Sequence, residues 1–197
     1  MFTNIDHVFH CEKLFSKDVC DKVIRNGESL DFKDATLHES KEDNKRSSKV
    51  TFLKQNLKFE ESISRVILGV NKEKKWNFKL KQFEPFQYSL YNKGDHYNWH
   101  VDNHSTPYDD GQVRKISFSL LLNDDYEGGD FELSVPCPIS EKTQYHKISK
   151  AEAGTMIIFP SYTWHKVHPV ISGVRKTLVG WTLGPNYKKE NIYEFIF

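Results

Sequence analysis

The chain has 197 residues, with Lys plus Arg at 28, Asp plus Glu at 27 and a formal net charge of +1. That length suits a single domain with a core of its own, and the near-neutral balance argues against a nucleic-acid partner held by phosphate charge. No apolar run is long enough to span a membrane, Met1 to Asp6 lacks the basic start of a secretory signal, and Cys11, Cys20 and Cys137 form neither a metal-type cluster nor an even disulfide framework, so the expectation is a cytoplasmic protein with reduced thiols.

Residues 16 to 30 open on Ser16, a candidate N-cap, and place Val19, Val23 and Ile24 on one helical face. Residues 57 to 70 repeat the period with Phe59, Ile63, Val66, Ile67 and Val70. Between them, residues 38 to 49 are polar and carry Lys41, Lys45, Arg46 and Lys49 among acidic neighbours, which reads as an exposed loop. The region 1 to 77 is therefore expected to supply helical support and a loop.

From residue 78 the hydrophobic period falls to two. Candidate strands are 79 to 91, 96 to 102, 114 to 122, 130 to 134, 144 to 149, 155 to 159, 165 to 170 and 174 to 183. Turn signals at Lys93-Gly94-Asp95, Asp109-Asp110-Gly111, Gly128-Gly129, Gly154 and Ser172-Gly173 separate them. The expected class is mainly β with supporting N-terminal helices, a double-stranded β-helix or jelly-roll core occupying 78 to 197 of a single domain.

Three side chains in this region point to metal chemistry. On a strand, His100 and Asp102 share a face, and two imidazoles with one carboxylate are the ligands that leave half of an octahedral Fe(II) open to other groups. For the second imidazole, His165 is favoured over its rival His168, which three positions along a strand would face the other way. His96 with His100 would make a zinc-type pair only on a helix, and Gly94 with the alternation of Tyr97, Trp99 and Val101 favours a strand. His104 and His146 read as loop histidines. Ten positions beyond His165, Arg175 offers a guanidinium fit to grip a carboxylate bidentately, on a face shared with Thr177, Val179, Trp181 and Leu183. In the strand 114 to 122, Lys115, Ser117, Ser119 and Leu121 lie opposite Ile116, Phe118, Leu120 and Leu122, and the serine face suits a pocket wall or solvent equally.

The stretch from Tyr91 to Asp102 resembles the Tyr-x-x-Gly-x-x-Tyr-x-x-His-x-Asp motif of the prolyl 4-hydroxylase branch of the Fe(II) and 2-oxoglutarate dependent oxygenases, including its bacterial PKHD type. Arg114 with the apolar strand after it, Tyr126-Glu127-Gly128-Gly129, Ala153-Gly154 through Ser161, the step from His165 to Arg175 and Trp181 extend the likeness over residues 86 to 184. The resemblance implies Fe(II) held by His100, Asp102 and His165, and 2-oxoglutarate and O2 as cosubstrates. It also implies that Arg175 grips the distal carboxylate of 2-oxoglutarate with Tyr91, Ser117 and Trp181 around it, and it admits ascorbate as a further cofactor.

Collagen-type enzymes place Lys where this chain has Arg175, which favours the PKHD type, and the presence of Asp102 implies hydroxylation rather than halogenation. The partner implied is a proline-containing protein or peptide, with Tyr97, Trp99 and Arg114 as candidate substrate contacts and residues 103 to 112 as a candidate lid. Three alternatives stand beside this reading: an oxygenase of a free amino acid or other small molecule, a nucleic-acid demethylase of the same fold, against which the near-neutral charge counts, and a non-catalytic binding module of the same fold.

Overall fold

A computed structural model of the chain describes residues 9–35, 45–54, 56–103, 106–135 and 143–187. Expectations that fall on Met1 to Asp6, residues 38 to 44, His104 and Cys137 lie outside the described residues. In chain order the elements are β1 (His10–Lys13), α1 (Lys17–Glu28), β2 (Lys33–Asp34), β3 (Arg46–Ser47), β4 (Lys49–Phe52), α2 (Leu57–Glu73), β5 (Gln82–Phe83), β6 (Gln87–Tyr91), β7 (His96–His100), β8 (Gln112–Leu121), β9 (Glu127–Gly128), β10 (Phe131–Val135), β11 (Gln144–Ile148), β12 (Thr155–Pro160), β13 (His165–Val167), β14 (Val170–Ser172) and β15 (Arg175–Pro185).

Both helices form where the period predicted them. Asn56 caps α2 by accepting a hydrogen bond from Phe59 N at 3.3 Å, whereas Ser16 stands at the N-cap of α1 without a side-chain bond. Ile63, Ile67 and Val70 of α2 and Cys20 and Val23 of α1 are buried against one face of the large sheet. The contact is close: a Cβ at Gly27 would stand 2.5 Å from the Tyr88 ring.

That sheet has eight strands, β1-β12-β8-β15-β6-β4-β2 with β5 paired to β15, and a five-stranded sheet, β11-β10-β13-β7-β3, covers its other face. The pleat assigns the side chains of each long strand. On β8, Ile116, Phe118 and Leu120 join the helices, as do Met156 and Ile158 of β12 and Leu178 of β15. Ile157 and Phe159 turn the other way and meet Phe131, Leu133 and Val167 of the smaller sheet, so two apolar layers flank the large sheet. This is the jelly-roll core, and the functional side chains project into its interior.

The N-terminal region does more than support. β2 and β4 extend the large sheet beyond β6, β1 closes its opposite edge on β12, and β3 pairs with β7, so the polar stretch expected as a loop carries strand at Arg46–Ser47 and Lys49–Phe52. Short edge strands rich in charge lack the apolar alternation that marks a core strand. The expected strand 79 to 91 is divided into β5 and β6, and the expected strand 165 to 170 into β13 and β14, at Pro85 and Pro169, where proline removes a ladder donor. His146, expected in a loop, lies on β11 opposite Leu133.

Lys115 is an unusual occupant of β8. Only 4% exposed, it holds its ammonium 3.3 Å from the ring centre of Tyr187 and 5.9 Å from that of Phe78, and burial pulls its pKa down to about 8. An unfolded chain keeps this amine protonated up to its ordinary 10.5, so between these values the unfolded state binds more protons and stability rises with pH. Burial pushes the pKa of Tyr187 up, leaving that phenol neutral across the window. Urea unfolding at pH 7.5 and 9.5 is expected to show a gain of order 1 kcal/mol after allowance for solvent screening at the rim. The Lys115→Met variant should lose that gain, and an unchanged pH response would remove Lys115 as its source.

Candidate active site

β7 and β13 lie side by side with His165 opposite His100. Each imidazole uses Nδ1 on the carbonyl of the residue two positions earlier: His100 on Asn98 O at 2.8 Å and His165 on Thr163 O at 2.9 Å. A carbonyl only accepts, so Nδ1 carries the proton in both rings and Nε2 presents its lone pair. These Nε2 atoms stand 3.7 and 3.6 Å from the two oxygens of Asp102. All three residues offer ligand atoms within 4.8 Å of one another.

Packing clamps the rings. Tyr97 lies flat on His100 with centroids 3.5 Å apart, and Phe159 and Phe131 lie 4.6 and 5.4 Å from His165. Asp102 reaches the group by a route different from strand parity: β7 ends at His100, and Asp102 sits in a bend fixed by its N–H donating to Ser161 O at 2.9 Å. Asn103 N donates to the same oxygen at 3.0 Å.

Burial drives the pKa of His100 down to about 3, with the neighbouring His165 acting in the same direction, so this imidazole is neutral. Burial by itself would raise the pKa of Asp102, but His165, His100, a hydrogen bond from Ser117 and the charge of Arg114 outweigh it and hold the carboxyl below its usual range. A neutral imidazole and an ionised carboxylate are the states that coordinate a divalent cation.

The interior face of β15 supplies the second half of the site. Arg175 is 1% exposed and is among the largest fully buried side chains. Its Nε and Nη2, the hydroxyl of Thr177 and the indole nitrogen of Trp181 are buried with no hydrogen-bond partner among the described residues. Unpaired buried donors are costly and rare, and here three residues at alternate positions of one strand face carry them. Tyr91, paired with Arg175 across β6 and β15, sets its ring 5.5 Å from the guanidinium carbon. Ser117 is fully buried with its Oγ 2.9 Å from Ser161 Oγ, so the serine face of β8 is interior rather than solvent-facing.

This donor set fits a 2-oxo dicarboxylate beside a metal: two imidazoles and a carboxylate for the ion, then a buried guanidinium and hydroxyl for a distal carboxylate. Thr177 was missed by motif reasoning, although its place two residues after Arg175 on one face was visible.

Gly129 sets the position of Arg175. Its φ is +61°, and an added Cβ would come 2.8 Å from Arg175 Cδ and 3.1 Å from Val170 Cγ2. Gly129→Ala is therefore expected to raise the 2-oxoglutarate concentration for half-saturation about tenfold while leaving metal affinity unchanged, and to cost roughly 1–2 kcal/mol of stability. Parallel titrations with metal and cosubstrate check the split, and an equal loss of both would mean a general disruption.

The remaining sequence candidates are placed differently. Trp99 is on the face of β7 opposite His100, 5.5 Å from Tyr145 and under Lys166, outside the interior. Tyr97 backs a ligand ring. Arg114 is held by Glu84 through Nε at 2.7 Å and Nη2 at 2.6 Å, lies 3.9 Å above the Trp181 ring and reaches Asp102 O at 3.4 Å. His168 donates through Nε2 to the Glu132 carboxylate at 2.6 Å, away from the triad. His96 is on strand β7, which removes the helical zinc pairing. Of the candidate lid, Tyr108 donates to Glu84 at 2.9 Å.

Residues 86–183 match the model of the 2OG-Fe(II) oxygenase superfamily. The chain is 41% identical over 90 residues to a PKHD-type hydroxylase of Synechococcus sp. strain CC9902, covering 45% of this chain and 36% of that protein. A PKHD-type hydroxylase of Rippkaea orientalis is 34% identical over 129 residues, covering 64% and 55%. The chain thus spans between about a third and somewhat over half of these relatives. Among solved structures, a Pseudomonas putida prolyl-4-hydroxylase superposes with a TM-score of 0.68 at 20% identity, covering 89% of this chain and 92% of that one. A prolyl hydroxylase from Trichoplax adhaerens, in complex with a hypoxia inducible factor oxygen degradation domain peptide fragment, gives 0.67 at 18%, covering 89% and 83%.

Proposed function

Because the chain belongs to the 2OG-Fe(II) oxygenase superfamily, we propose that it is a 2-oxoglutarate dependent hydroxylase of the PKHD type acting on a prolyl residue of a protein or peptide. The observation that carries this reading is the pairing, inside one barrel, of the His100, Asp102 and His165 ligand atoms with the unpaired buried guanidinium of Arg175. PKHD-type relatives support hydroxylation. Prolyl hydroxylase structures of the same fold, one with a peptide bound, favour a polypeptide substrate.

In this reading His100 Nε2, His165 Nε2 and one Asp102 oxygen hold Fe(II), and the carbonyls of Asn98 and Thr163 keep both rings turned to it. Arg175 and Thr177 grip the distal carboxylate of 2-oxoglutarate, with Tyr91 along its length and Ser117 steadying Asp102. When bound, iron, 2-oxoglutarate and O2 would together supply the oxidant that replaces a C–H bond by C–OH, one oxygen atom going to the product and the other to succinate as carbon dioxide is lost. The protein's part is to seat both, to hold the target bond beside them and to exclude water with the apolar walls of Phe131, Phe159 and Trp181. Ascorbate belongs to the reading as a reductant that maintains turnover.

The test is an anaerobic titration with Fe(II) and 2-oxoglutarate, watching the visible charge-transfer band of the chelated pair, followed by assays of succinate and hydroxyproline with proline peptides. A band followed by hydroxyproline is expected. Turnover on free proline or lysine in place of peptides would move the substrate to the small-molecule class, and folded protein without a band would leave a binding module.

A further inference from the structure

On the helical side of the large sheet, α1, the start of α2 and β5 enclose a groove of about 820 Å³. Val23, Phe59 and Phe83 contribute to its apolar lining, and the exposed ammonium groups of Lys22, Lys54 and Lys58 stand around it. No carboxylate among the described residues lies within 4 Å of these three cations. Of the two acids lining the groove, Glu84 is committed to Arg114, which leaves Glu60 as the other.

Two further features narrow the occupant. β5 forms one wall and is paired on a single edge, to β15, so its other edge can receive an extended chain. Glu84 then links groove and metal site: its carboxylate holds Arg114, and Arg114 Nη1 touches Asp102 O. A flanking segment three to four extended residues from the target bond lies roughly 10–14 Å along the chain from it.

We propose that this groove receives the segment of the polypeptide substrate that flanks the hydroxylated residue, an extended stretch rich in acidic and apolar side chains. Apolar side chains at alternate positions enter the groove, acidic ones meet Lys22, Lys54 and Lys58, and the backbone adds to β5. The inference rests on the polypeptide reading above. It extends it by placing substrate selection on the helical layer, outside the barrel.

The experiment uses fluorescein-labelled peptides with one central Pro and an Asp-Leu-Asp-Phe-Asp-Leu block three or four residues to either side, against counterparts with Lys in place of Asp. Anisotropy is read on protein loaded anaerobically with Fe(II) and 2-oxoglutarate. In one placement the acidic peptide is expected to bind at least tenfold tighter than its Lys counterpart, and the Lys22→Glu, Lys58→Glu double variant should reverse that preference with its charge-transfer band unchanged. Equal binding of both peptides, a preference that survives the reversal, or no peptide binding overturns the proposal, as does occupation of the groove by dodecanoate without peptide binding. Because binding is read without turnover, failure of prolyl hydroxylation would register separately, in the hydroxyproline assay.

Discussion

Asp102→Ala is expected to abolish the charge-transfer band and all Fe(II)-dependent turnover while the far-UV circular dichroism of the metal-free protein stays native. The backbone of Asp102 is held by Ser161 O whatever the side chain is, so the substitution removes a ligand and leaves the bend. What it removes is the negative charge between two imidazoles, and two imidazole donors alone hold a divalent cation weakly; a loss of at least 100-fold in Fe(II) affinity is expected. His165→Ala should behave alike. His168→Ala supplies the contrast: its ring is engaged with Glu132, and iron binding should be unaffected. Retained turnover in His165→Ala with loss in His168→Ala would transfer the ligand role.

The second large effect concerns Arg175 and divides binding from stability. Among the described residues no carboxylate comes within ion-pair distance of this nearly inaccessible guanidinium, and two of its nitrogens lack partners. A buried cation in that state destabilises the cosubstrate-free fold. Arg175→Met should therefore raise the unfolding free energy of the protein alone, by an amount of order 1–3 kcal/mol, and its unfolding midpoint with it. The same variant should weaken 2-oxoglutarate by about 3 kcal/mol, roughly 100-fold, through loss of a buried charge-assisted pair. Thr177→Val, which removes one hydroxyl donor, should cost about tenfold, and Fe(II) affinity should stay unchanged in both. Thermal shifts with and without 2-oxoglutarate measure the two arms together. A variant that loses stability and cosubstrate affinity in parallel would make Arg175 a structural residue.

Much of this architecture was written in the periods of the chain. The change from period 3.6 to two near residue 78 separates helices from barrel, and the turns at Gly94, Gly111, Gly154 and Gly173 fall between strands, while Gly128 lies in the short strand β9; burial of one face forces periodicity on any element that supports a core. The short strands β1 to β4 left no such mark. Each is an edge or near-edge piece of two to four residues, carried by pairing with a neighbour rather than by an apolar face of its own, and backbone pairing leaves no imprint on side-chain type. Trp99 is a different case: adjacent to His100 on β7, it takes the opposite face by alternation, away from the interior.

By itself the sequence nominated the residues proposed to carry the chemistry: His100, Asp102, His165 and Arg175 stand out by type and spacing, since few side chains can ligate a divalent cation or clamp a carboxylate. Tertiary structure alone decided how they are arranged. It set Asp102 in a bend pinned to Ser161, turned both imidazoles by carbonyls of Asn98 and Thr163, placed the hydroxyl of Thr177 beside Arg175, and paired Arg114 with Glu84. The physical reason is range. Spacing along a strand fixes which face a residue takes, but tautomer, ionisation and hydrogen-bond pairing depend on groups that folding brings from distant parts of the chain, over a few ångströms that no local pattern encodes.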